Sequence, residues 1–140
     1  MTTAGFRHLA AIALKAALLL GTSLAHANPE DGRVVRGSAS ISTDGSVVTV
    51  TQTSKKAVID WQSFSIGGNE TVRFQQPSAK ALAVNRVTGG EGSTIDGRLL
   101  ANGRLVLSNP NGITFGARSR VDVAGLVATT ARLADRDLEA

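Results

Sequence analysis

AVNRVTGGEGSTIDGRLLANGRLVLSNPNGITF, residues 83–115, alternates short β-branched or apolar runs with corners rich in glycine and asparagine. The clearest corner is Asn109-Pro110-Asn111-Gly112, set between Leu105-Val106-Leu107 and Ile113-Thr114-Phe115. Each residue suits a type I turn: Asn at the first position, Pro with φ preset at the second, Gly at the fourth. A chain that turns every few residues, with no helix between, is winding a coil of strands.

The same pattern extends outward. From Arg33 onward strand signals dominate: a loosely alternating run from Val34 to Ile41, a hairpin signal at Asp44-Gly45, then Val47 to Gln52. Alternation places Val48 and Val50 on one face and Val47, Thr49 and Thr51 on the other. Further short runs follow at Ala57 to Trp61, Phe64 to Ile66, Glu70 to Gln75, Ala81 to Val87 and on to Leu126 to Ala128. Thirteen of the fifteen glycines lie after residue 27, nearly all in corners. Ile95-Asp96-Gly97-Arg98-Leu99 resembles Val121-Asp122-Val123-Ala124-Gly125-Leu126, and Gly97 and Gly125 are 28 residues apart. That spacing lies within solenoid periods. The expected fold is all-β over residues 28–130, with a parallel β-helix favoured over a sandwich of antiparallel strands and Val34 to Gln52 folding over its first turn as a cap. Residues 131–140 hold few apolar groups and read as a polar, solvated tail with at most a short helix.

Residues 1–27 read as a signal peptide. Arg7 and His8 precede an apolar run interrupted by Lys15, and Ala25-His26-Ala27 is an A-x-A cleavage pattern, placing the cut between Ala27 and Asn28. The run is shorter than the ~20 residues of a membrane span, so no stable membrane insertion is expected. Cleavage leaves 113 residues with 13 basic and 11 acidic side chains, a net charge near +2. The basic residues are scattered, with Lys55-Lys56 the only adjacent pair in the mature part, which does not point to nucleic acid. There is no cysteine, so burial and backbone pairing must hold an exported chain together.

Much chemistry is excluded. Both histidines, His8 and His26, lie in the leader, and the mature part lacks His, Cys and Tyr. Ser-His-Asp catalysis, thiol nucleophiles and the usual zinc ligand sets are therefore absent. Asp44, Asp60, Asp96 and Asp122 are the carboxylates that a glycosidase-like pair would draw on. Asp44 and Asp96 each precede glycine, and turn formation accounts for them. The Gly89-Gly90-Glu91-Gly92 cluster is followed by no helix pattern and is no phosphate cradle. No catalytic residue, cofactor or metal site is expected.

Three collinear blocks, AVIDWQSFSIGGNETVRFQQP (57–77), ALAVNRVTGGEGSTIDGRLLANGRLVLSNPNGITFG (81–116) and VDVAGLVATT (121–130), resemble the N-terminal secretion domain of filamentous-haemagglutinin-type exoproteins. This is the two-partner secretion, or haemagglutination-activity, domain, and the resemblance covers roughly residues 32–130. It implies a right-handed parallel β-helix with an N-terminal cap. It also implies export by the general secretory translocon into the periplasm of a Gram-negative bacterium. Periplasmic POTRA domains of a cognate outer-membrane transporter would then bind the module, leading to a secreted or cell-surface product. By resemblance, the family's NPNG-type motif falls on Asn109, Pro110, Asn111, Gly112 and Ile113, and its NRVTG-type motif on Asn85, Arg86, Val87, Thr88 and Gly89. The family module is usually about twice this length and opens a much longer passenger. The chain thus reads as a partial module, a truncated frame or a short member, and the long leader extension of some members is missing.

The NPNG block has two readings that can coincide: a corner fixing the register of the next turn, and a surface that a transporter reads. Asn85, inside an apolar run, must have its amide satisfied by neighbouring turns if buried. Trp61, Phe64, Phe74 and Phe115 are expected to seal core or cap. The competing functions are a β-helical carbohydrate-active enzyme and a glycan-binding adhesin.

Overall fold

The structure is a computed structural model that describes residues 27–138, so the leader expected over residues 1–27 lies outside the described residues except for Ala27. The strands are β1 (Arg33–Arg36), β2 (Ala39–Asp44), β3 (Val47–Gln52), β4 (Lys56–Trp61), β5 (Thr71–Gln75), β6 (Leu82–Val87), β7 (Ser93–Ile95), β8 (Arg98–Ala101), β9 (Arg104–Ser108), β10 (Ile113–Phe115), β11 (Arg120–Asp122) and β12 (Gly125–Thr129). They wind a parallel β-solenoid of about four turns. One face stacks β3, β5, β8 and β11, a second stacks β4, β6, β9 and β12, and a short third pairs β7 with β10. Ile66 joins the third face through a bridge to Ile95.

Period-2 alternation explains the core. Inward positions repeat at the same register in each turn, so like residues stack in columns. Val48, Val72, Leu99 and Val121 form one column, and Ala57, Ala83, Leu105 and Leu126 another. Val48 and Val50 are buried whereas Thr51 is exposed, as alternation requires. With no disulfide, these columns and the ladders between them hold the turns together.

Several sequence expectations need correction. The run from Val34 to Ile41 is two strands, because Gly37 turns the chain at φ 76° and a Cβ there would lie 2.1 Å from the Lys56 carbonyl oxygen. The cap is smaller than expected. Only β1, antiparallel to β4, and β2, antiparallel to β3, belong to it, while β3 is already the first strand of the coil. The Asp44-Gly45 hairpin signal holds, with Asp44 opposite Val47. The 28-residue similarity does not mark stacked positions: Arg98 pairs with Arg120, and Gly125 pairs with Arg104. The turns are unequal because their corners differ in length, the interval being 24, 27 and 22 residues along Val47, Thr71, Arg98 and Arg120. Trp61, Phe64 and Phe74 are buried, but Phe115 is 40% exposed, since β10 has a partner strand on one side only among the described residues.

The tail contains the expected short helix, one turn of 3-10 helix over Asp135–Leu138, and its polar side chains are exposed, but it is docked on the coil and not frayed. Its sparse apolar residues, Leu133 and Leu138, pack on Val58, Val84, Leu82 and Val106, which point outward from the β4-β6-β9 face. Two leucines thus supply the apolar part of the contact for a segment whose overall composition is polar.

The corner opening the third turn is closely enclosed by backbone. A Cβ on Gly97 would lie 2.1 Å from the Gly67 carbonyl oxygen and 2.4 Å from that of Glu70, both rigid backbone atoms, whereas nothing lies within 4 Å of one on Gly90. Gly97→Ala is expected to destabilise the processed chain by about 1–3 kcal/mol, and Gly90→Ala to change it little. Urea unfolding midpoints of the two variants check this contrast.

Candidate functional site

The NRVTG segment occupies the end of β6 and the corner after it. Asn85 faces inward between Ile59 and Leu107 and is 2% exposed. Its Oδ1 accepts from Trp61 Nε1–H at 2.9 Å, and its Nδ2 donates to the carbonyls of Ala83 and Val106, each at 3.3 Å. The buried amide is thereby satisfied, and it fixes the indole, which stands edge-on to Phe64. Val87 is core, and Thr88 donates through both its backbone N–H and its hydroxyl to the Trp61 carbonyl. Gly89 lets the corner pass Gln62, whose carbonyl oxygen would lie 2.2 Å from a Cβ.

The NPNG corner is the predicted i→i+3 turn: Gly112 N–H donates to the Asn109 carbonyl at 3.0 Å. Asn109 is wholly buried. Its Nδ2 donates to the Glu91 carbonyl at 3.0 Å and to Ser93 Oγ at 2.9 Å, and its Oδ1 accepts from the backbone N–H of Asn111 at 2.9 Å. Asn111 is exposed, yet its Nδ2 reaches the Gly89 carbonyl at 2.8 Å. Ile113 is half-buried against the core and opens β10 opposite Ser93. The two motifs are thus adjacent corners of successive turns, joined directly by the Asn111–Gly89 bond.

Beside them, on the outer face, Arg86 lies in register with Asp60 one turn earlier. Its Nε donates to Asp60 Oδ1 at 2.7 Å and its Nη1 to Asp135 Oδ1 at 2.7 Å, with a further bond to the Leu133 carbonyl. The hydrogen bond that Arg86 donates to Asp60 raises the Arg86 pKa further above its already high value, against the effect of burial and with help from Asp135. In return the Arg86 hydrogen bond holds the exposed Asp135 carboxyl below its ordinary range. Ser108 Oγ donates to the Ala131 carbonyl, and Lys56 Nζ to that of Leu138. Residues 131–138 therefore form a strap running from the fourth turn back to the first. A cleft of about 250 Å³ beside it is lined by Arg86, Thr88, Pro110 and Arg132 among others.

The opposite corner carries a ladder that sequence reading did not single out. Gln76 Nε2 donates to Gln52 Oε1 at 3.1 Å, Gly103 N–H donates to Gln76 Oε1 at 2.8 Å, and Gln76 exchanges backbone bonds with the Asn102 amide at 2.7 Å each. These residues sit 24 and 26 apart, a spacing that stands out only when the length of each turn is known. The carboxylates do not converge. Asp44 ends the hairpin strand, Asp60 is paired with Arg86, and Asp122 ends β11. No group of three or more His, Cys, Asp or Glu suited to a metal occurs among the described residues. Ala27 and Asn28 lie at the start of the described chain, against Glu70 and the Gly45 carbonyl respectively.

Comparison with known proteins fits this geometry. Residues 25–140 match the family described as TPS secretion domain. The chain belongs to the TPS secretion domain family. The module is 48% identical over 111 residues to a heme/hemopexin-binding protein of Haemophilus influenzae strain Rd, and 45% identical over 112 residues to another from that species. Each alignment covers 79% of this chain but 12% of the relative, so the chain spans about an eighth of those proteins. The crystal structure of the HMW1 secretion domain from Haemophilus influenzae matches with a TM-score of 0.76 at 32% identity, over 80% of this chain and 30% of that one.

Two expectations concern this TPS domain's corners and strap. Asn109→Ala strands the Ser93 hydroxyl and the Glu91 carbonyl, and is expected to lose about 1–3 kcal/mol, more than Asn111→Ala at the exposed end of the network. Denaturant titration of both variants measures the difference. Because the Asp135 pKa is depressed, its contribution to strap docking is complete above the ordinary carboxylate value of about 3.9 and disappears as pH falls through the lower folded value. Amide protection over residues 131–138, measured relative to the intrinsic exchange rate at each pH, should therefore fall below that range, and Asp135→Asn should show the weaker protection already at neutral pH.

Proposed function

We propose that this chain is the secretion-targeting module of a two-partner secretion exoprotein, a binding partner and not an enzyme. In this reading a signal peptide takes it through the general secretory translocon. The POTRA domains of a cognate outer-membrane transporter then capture it in the periplasm, and the product reaches the surface or the medium. The observation that carries the reading is the family match over residues 25–140, with both sequence motifs falling on adjoining corners. One edge of that surface is exposed at Asn111 and continues into the cleft beside Pro110 and Thr88.

The names of the Haemophilus relatives refer to heme and hemopexin, and belong to proteins of which this chain matches 12%. Residues 27–140 contain no His, Cys, Met or Tyr, the side chains that ordinarily ligate heme iron. We therefore assign this module delivery and leave ligand capture to other parts of such proteins.

Co-expression with the cognate transporter tests the reading. Replacement of Asn111 and Pro110 by alanine is expected to lower export several-fold while the processed chain accumulates in the periplasm. Unchanged export, with urea midpoints near that of the parent, would remove these corners from recognition.

A further inference from the structure

Glu70 is a carboxylate only 6% exposed, and no lysine or arginine among the described residues forms an ion pair with it. Its Oε1 accepts from Gly67 N–H at 2.6 Å. Its Oε2 accepts from the backbone N–H of Ala27 at 3.3 Å, a long bond from a residue 43 positions earlier. Burying a carboxylate with two neutral donors and no cation is unfavourable. One residue further along, Asn28 Oδ1 is buried with no hydrogen-bond partner among the described residues. An anion with no cation and an acceptor with no donor among the described residues are thus the neighbours of the Ala27–Asn28 peptide bond.

We infer that Glu70 is the receptor for the α-ammonium group created when the leader is removed. The inference rests on the reading of residues 1–27 as a signal peptide. A peptidase adds water across the bond: the Ala27 carbonyl carbon gains the hydroxyl and leaves as a carboxylate, and the Asn28 nitrogen gains protons to become –NH3+. Departure of Ala27 frees Oε2 from its long bond. The new cation, one residue away, supplies three donors, enough for Oε2 and for Asn28 Oδ1. It cannot drift far, because Pro29 is buried, Glu30 N–H donates to the Ser63 carbonyl at 3.0 Å and Gln62 N–H to the Glu30 carbonyl at 3.0 Å. Glu70 in turn holds the corner before β5, where its backbone carbonyl accepts from Arg98 N–H of the next turn at 3.0 Å. Processing would therefore tighten the first corner of the coil through an ion pair that the precursor lacks.

A four-way comparison tests this, using the processed chain with a free or an acetylated amine at Asn28, each with Glu70 or Glu70→Gln. Glutamine keeps the acceptor for Gly67 N–H but removes the charge. The free amine is expected to raise the folding equilibrium constant about tenfold over the acetylated form with Glu70 present, and less than twofold with glutamine. Equal stability of free and acetylated chains in the Glu70 background overturns the inference, and that arm stands even if the glutamine variant does not fold. Mass determination of the periplasmic product gives an independent check: a mature start at Asn28 supports the ion pair, and a start elsewhere rejects it. Failure of export through the transporter instead counts against the secretion reading, and leaves the stability comparison to be judged separately.

Discussion

Register between successive turns is the constraint on which this molecule depends. Each parallel strand shares backbone hydrogen bonds only with the turns before and after it, so a slip of one residue would turn every inward side chain outward. Columns of valine, leucine and isoleucine cannot prevent such slippage alone, because neighbouring apolar residues are nearly interchangeable. Directional groups at the corners do. Asn109 and Asn111 bond to fixed carbonyls of the preceding turn, and Gln76 locks to Gln52 on one side and to Asn102 and Gly103 on the other. Asn85 adds a third lock inside the core by holding the Trp61 indole. A buried amide left unpaired is costly, so each of these residues penalises the wrong register as well as favouring the right one.

Much of this architecture was legible in the sequence because turn chemistry is local. Asn-Pro-Asn-Gly specifies its own geometry, and the alternation of Val47 to Gln52 specifies its own inward face. Asn85 stood out as an amide within an apolar run. What stayed hidden depends on how far the chain travels before returning to the same face. Glutamines at 52 and 76 look like ordinary polar residues until the first turn is known to span 24 positions. The 28-residue similarity misled for the same reason, since unequal corners let unrelated positions look alike. The docking of the tail stayed hidden because hydrophobicity averaged over ten residues conceals two leucines that meet an apolar patch on the coil.

The outer face shows how a polar residue can serve two neighbours. Arg86 reaches back to Asp60 in the preceding turn and outward to Asp135 and Leu133 in the strap, so a single guanidinium fastens two turns and the overlying segment. Its planar fork suits such divided use better than an ammonium would. The same side chain borders the cleft next to Thr88 and Pro110, which joins the stability of the strap to the surface formed by the two motif corners.

The path of the strap carries a kinetic meaning. It leaves the coil after the last described strand and lies across earlier turns in reverse order, ending at Lys56. A segment with that itinerary has no complete seat until all the windings beneath it are in place. Over residues 27–138 it behaves as a stitch: it can seat only once the windings beneath it have formed, so its state records whether those windings are in place.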